Sequence, residues 1–161
     1  MMASLISFEC VVPLLRSRDV QHVVDELSRV VATEAVLDNE SVCRSVLEQA
    51  EESTFGFGRG VAVPHAAFPG LDRPVGAFAR LKPAHDFGAS DGISADLVFL
   101  LLSPEGNDST HLRALACVTR RLRDREVATR LRSSTDAAAI HVVLTSDIWR
   151  SSGIPAMPSP G

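Results

Sequence analysis

The sequence predicts a single α/β domain built as a layered sandwich, with a mixed β-sheet flanked by helices on both faces. Three observations carry that expectation: helical periodicity at both ends of the chain, short apolar runs of strand type in the middle, and a length of 161 residues that suits one core. The domain is assigned to residues 1–147. Residues 148–161 are read as a flexible tail, because "SSGIPAMPSPG" is too rich in Pro, Ser and Gly to bury itself.

The first element is "VVPLL", Val11 to Leu15, a strand in which Pro13 implies an edge position or a bulge. From Asp19, Val20, Val23, Val24, Leu27, Val30 and Val31 recur at spacings of three and four and predict a helix with one buried stripe. A second helix is expected over "DNESVCRSVLEQAEES", capped by Asp38 or Asn39 and delivering the chain to Ser53. Gly60 to Val63, Val75 to Leu81 and Ala95 to Ser103 read as strands, the last nearly all apolar, as for a central strand covered on both faces. A helix capped by Asn107 or Asp108 follows, with Leu112, Leu115, Ala116, Thr119 and Leu122 on its inner face and Arg120, Arg121 and Arg123 at its end, where they complement the dipole. Shorter helices are expected around Val127 to Leu131, following from Asp124, and over Ser134 to Leu144.

Composition narrows the function. A net charge of −4 gives no general attraction to nucleic acid or to anionic lipid. Three widely spaced cysteines with no CxxC pair fit buried thiols in a reducing compartment rather than disulfides or a metal site. With no signal peptide and no apolar run of about 20 residues, a cytoplasmic location without membrane insertion is expected. Asp86, Asp91 and Asp96 are too loosely spaced for a metal loop, and His85 and His141 are read as structural or surface residues. Neither a metal nor another cofactor is expected.

Chemistry is concentrated in "STFGFGRGVAVPH", Ser53 to His65. Three glycines precede a short strand, Pro64 ends it, and His65 is presented at the strand end, where open α/β sheets commonly bind ligands. Each feature has a plainer reading, tight turns for the glycines and a surface or core role for the histidine. A nucleotide loop is excluded, since the glycines precede a strand and no Gly-Lys-Ser/Thr follows. His111 falls in the first turn of a helix, where the dipole favours anions and disfavours a protonated imidazole. If the strands adjoin, the two histidines meet, and a neutral imidazole pair suits phosphoryl transfer through a phosphohistidine. Ser53, Thr54 and Thr110 offer further hydroxyl donors, alongside equally ordinary turn or capping roles.

"ESTFGFGRGVAVPH" and "DLVFLLLSPEGNDSTHLRALACVTRRLRD", in this order and at this separation, resemble the IIA domain of the phosphoenolpyruvate-dependent phosphotransferase system, in its fructose, mannitol and nitrogen-regulatory class. The similarity runs from about Val11 to Leu144. The resemblance implies that His65 accepts a phosphoryl group from the carrier HPr or its nitrogen-branch relative, that His111 supports the site, and that a IIB domain or a regulatory target lies downstream. A chain with no attached IIB or membrane segment leans towards the nitrogen-regulatory branch.

One position departs from the family pattern, which commonly has Arg-Glu where this chain has Glu48 and Gln49. A carboxylate beside a phosphoryl group is repulsive, so either Glu48 points away or phosphorylation is weakened. Arg59, between two glycines, is read as either a replacement cation or a solvated loop residue. The alternative function is a regulatory binding module of the same fold that transfers phosphate poorly or not at all.

Overall fold

The computed structural model describes residues 1–146, so the tail assigned to 148–161 lies outside the described residues. Two single turns of 3-10 helix, Met2–Ser4 and Phe8–Cys10, lead into strand β1 (Val11–Leu15). Pro13 has both expected effects. β1 is an edge strand, parallel to β5 (Val75–His85), and the register shifts between Val12 and Leu15.

Helix α1 (Val20–Ala35) begins where the Asp19 carboxylate accepts from the His22 N–H, and it buries Val23, Val24, Leu27 and Val31. It ends at Val36, a fully solvated valine in the left-handed conformation (φ 58°). Helix α2 (Asn39–Gln49) is capped by Asp38, which accepts from both the N–H and the hydroxyl of Ser41. The helix does not continue to Ser53 as expected. The Glu52 and Ser53 N–H groups turn back onto the Gln49 carbonyl instead, and Glu48, Glu51 and Glu52 crowd a helix end that disfavours negative charge.

The glycine-rich stretch differs from the sequence expectation. Gly56–Gly58 form a strand, β2, that was not expected, and it pairs in a β-hairpin with β3 (Val61–Ala62), which lies within the strand expected over Gly60 to Val63; the chain turns through Arg59 and Gly60, both at positive φ (59° and 79°), the pattern of a type I′ turn. Pro64 interrupts the strand without ending it. It lacks an N–H, but its carbonyl accepts from the Leu101 N–H at 2.9 Å, and the ladder resumes as β4 (His65–Phe68). Both β3 and β4 run parallel to the central strand β6 (Ala95–Pro104), which is antiparallel to β5, giving the sheet order β1-β5-β6-β3-β2 with β4 also on β6. β5 runs past Leu81 to His85, whose ring is held by the carbonyl and hydroxyl of Ser17.

Helices α1 and α2 pack together over β4 and β5. Helices α3 (Asp108–Arg123), α4 (Arg125–Ser133) and α5 (Ala137–Thr145) pack in series over β3, β6 and β1. The layered mixed-sheet fold is as expected. The caps Asn107, Asp124 and Asp136 each accept from a first-turn N–H. The inner face of α3, however, is rotated from the expected one. Ala114, Val118, Arg121 and Leu122 are buried, whereas Leu112 is 62 % exposed. Small Ala114 lets the helix sit close on the sheet, and the spacing 111, 114, 118, 122 puts His111 on the inward stripe. Of the three unpaired cysteines, only Cys10 is fully buried. No helix of the described residues is long and apolar enough to cross a membrane.

Candidate functional site

His65 opens β4 opposite Leu101 of β6, and Ala67 lies opposite Ser103. Side chains two residues apart on a strand share a face, so His65, Leu101 and Ser103 all project towards α3. There the inward stripe of α3 brings His111 to meet them. The two imidazole centroids are 5.4 Å apart with planes inclined at 41°. On its other side His65 meets the edge of the Phe55 ring, with centroids 5.2 Å apart.

Each ring has one nitrogen committed. Nδ1 of His65 lies 2.8 Å from the Val63 carbonyl oxygen. A carbonyl only accepts, so Nδ1 carries the proton and Nε2 keeps a free lone pair. Nδ1 of His111 lies 2.7 Å from the Ser103 hydroxyl, leaving its Nε2 for a ligand. Burial lowers the pKa of His65 from its ordinary 6.5, against the opposing pull of the Val63 carbonyl. Burial also lowers that of His111, with the neighbouring His65 acting the same way and Asp108 opposing. Both rings are therefore neutral near pH 7, and together they present one buried nucleophile and one hydrogen-bonding partner.

The other residues singled out in the sequence are distributed unevenly. Thr110 adjoins His111 in the first turn of α3, its N–H capped by Asn107. Ser53 precedes Phe55 by two residues and its hydroxyl accepts from the Gln49 amide at 3.3 Å. Thr54 is committed elsewhere, since its hydroxyl donates to the carbonyls of Phe87 and Gly88 and so ties down the loop that covers β2. Arg59 is not brought to the histidines. Its guanidinium donates to the Arg123 carbonyl at the last turn of α3, and from His111 to Arg123 the helix rises about 18 Å. The hairpin turn that carries Arg59 is at the opposite end of β3 from His65, which the sequence spacing alone did not reveal. Glu48 is exposed and opens onto a groove between α1 and α2, with Asp25, Arg29, Cys43 and Arg44, that neither histidine lines.

Sequence reasoning passed over Ser103, Phe55 and the Val63 carbonyl. The signal for Ser103 was a lone hydroxyl closing the apolar run from Leu97 to Leu102, eight residues before His111. The Val63 carbonyl carried none, because every residue has one.

Comparison with known proteins bears on the family and the fold. The family model described as "Phosphoenolpyruvate-dependent sugar phosphotransferase system, EIIA 2" matches residues 4–147. A nitrogen regulatory protein of Bradyrhizobium diazoefficiens is 43% identical over 141 residues, covering 87% of this chain and 92% of that protein. A nitrogen regulatory protein of Pseudomonas aeruginosa is 31% identical over 125 residues, covering 77% of this chain and 81% of its own. Among solved structures, the nitrogen regulatory protein IIA-Ntr from Neisseria meningitidis shares the fold with a TM-score of 0.82 at 24% identity, covering 89% of this chain and 99% of that one. The chain belongs to the EIIA 2 family of the phosphoenolpyruvate-dependent sugar phosphotransferase system.

Proposed function

We propose that this protein is a phosphocarrier that takes a phosphoryl group onto Nε2 of His65 from a cytoplasmic HPr-type phosphohistidine protein. The observation that carries the reading is the pairing of His65 Nδ1 with the Val63 carbonyl, which leaves Nε2 as the nucleophile. In the transfer, the Nε2 lone pair forms the new P–N bond while the P–N bond of the donor breaks and its electron pair returns to the donor imidazole. The His65 ring gains positive charge, which the Val63 carbonyl stabilises through Nδ1–H. His111 hydrogen-bonds the phosphoryl oxygens, with the Thr110 hydroxyl next to it in sequence and Ser53 as further candidates to assist it. Leu112, exposed beside His111, offers the donor protein an apolar contact.

The relatives favour the nitrogen-regulatory branch, in which the phosphorylation state of the protein is read by a regulatory target; in the sugar branch the group would pass to a IIB domain. Incubation with a phosphorylated HPr-type donor is expected to add about 80 Da as an acid-labile adduct to the wild type and nothing to His65→Ala. Equal behaviour of the two proteins overturns the assignment.

A second reading, a binding module with weakened transfer, is favoured by one observation. Glu48 stands where the family resemblance implies an arginine, and Arg59 packs against the far end of α3. Glu48→Arg separates the two readings. A large gain in phosphorylation rate identifies a weakened site, whereas an unchanged rate shows that the histidine pair and neighbouring backbone suffice.

A further inference from the structure

Ser103 is fully buried at the end of β6, and its hydroxyl has a hydrogen bond with one group among the described residues, Nδ1 of His111 at 2.7 Å. The bond has two possible directions. If Nδ1–H donated to Oγ, the serine proton would be left in the core without an acceptor. If the hydroxyl donates to the Nδ1 lone pair, the buried donor is satisfied and the oxygen merely forgoes an optional second bond. An unmet buried donor is the costlier fault.

We infer that Ser103 is a positioning residue that donates to His111 Nδ1 and so holds the His111 proton on Nε2. The inference rests on the reading of the histidine pair as a phosphoryl site and adds to it the origin of the donor. Val63 and Ser103 then set opposite tautomers on adjoining rings. The backbone carbonyl puts the His65 proton on Nδ1, leaving a lone pair at Nε2; the hydroxyl keeps His111 Nδ1 bare, leaving an N–H at Nε2. One ring can attack phosphorus while the other donates to the phosphoryl oxygens, and no proton has to move between them.

The placement follows from the fold. Ser103 shares its sheet face with His65 through the β4–β6 register, and His111 reaches that face because its helix turns position 111 inward. An alanine at 103 would keep the backbone ladder and leave the His111 ring free to adopt either tautomer.

The test is nitrogen NMR of ring-labelled protein at neutral pH, for the wild type, Ser103→Ala and Ser103→Thr. In the wild type, His111 Nδ1 is expected at the shift of an unprotonated ring nitrogen and Nε2 at that of a protonated one. In Ser103→Ala both His111 signals move towards averaged values, Ser103→Thr restores them, and His65 keeps its Nδ1–H throughout. Should alanine disturb folding, Ser103→Thr against Ser103→Val makes the same comparison between side chains of equal shape. Alongside, the phosphorylation rate from an HPr-type donor is expected to fall roughly three- to tenfold in Ser103→Ala, with the donor KM unchanged and with recovery in Ser103→Thr. A wild-type His111 protonated on Nδ1, or shifts indifferent to the hydroxyl, overturns the inference. Failure of the wild type to take up phosphate overturns the phosphocarrier reading, while the tautomer assignment stands or falls on the shifts alone.

Discussion

His65 is buried, His111 is half-buried beside it, and both are kept neutral, which has a consequence for stability as well as for chemistry. In the unfolded chain both titrate near 6.5, and in the folded protein both values are lower, chiefly through burial. Between the lowered and ordinary values the unfolded state binds more protons, so stability rises with pH through that window. The contribution is complete above 6.5 and is lost as pH falls through the folded values. Thermal midpoints measured downward from neutral pH are therefore expected to drop in the wild type below 6.5, and to drop less in His65→Ala. Both histidines were readable in the sequence because a Pro-His pair after a strand and a histidine four residues past a helix cap are local patterns. Ser103 and the Val63 carbonyl were not. Their roles depend on which strand lies beside which, and that register is set by long-range pairing.

At the scale of elements, the caps show how much a single side chain decides. Asp19, Asp38, Asn107 and Asp124 were each identifiable as helix starts, and each accepts from an N–H of the first turn. Helix ends and faces were harder. The inner face of α3 was expected one position off because Leu112 is the bulkier apolar residue, yet packing is won by small Ala114, which lets the helix approach the sheet. Three-residue β2 was too short to leave a periodic trace, whereas β3 falls within the strand expected over Gly60 to Val63. The end of α1 carries a testable cost, since Val36 holds a left-handed conformation that β-branched residues resist and its side chain is 89 % exposed. Val36→Gly removes that strain and gives up no packing. A gain of about 1 kcal/mol in urea denaturation is expected, and a loss would show that the valine contributes something its exposure conceals.

On the scale of the whole molecule, the proposed site is confined to one end of the sheet. The histidine pair lies at the carboxyl end of β6 and the start of α3, while Arg59, Arg132 and Asp96 knit together the other end, where Arg132 binds the Asp96 carboxylate and the Arg59 carbonyl. Arg59→Asn, which suits the left-handed turn, is accordingly expected to leave the rate of His65 phosphorylation within about twofold of the wild type, as for distant, independent sites. A tenfold loss measured by mass spectrometry would place Arg59 in the site after all. The inward seat of His111 has a last consequence. His65 is held in a β-ladder and its companion belongs to the packed face of a helix, so among the described residues neither ring rides on a lid or loop for phosphorylation to throw. What the proposed modification would alter is the local potential, since the dianionic phosphoryl group outweighs the positive His65 ring by about one net negative charge at one rim of the molecule. A partner that distinguishes the two states would do so by sensing voltage on a fixed contour rather than by recognising a new shape.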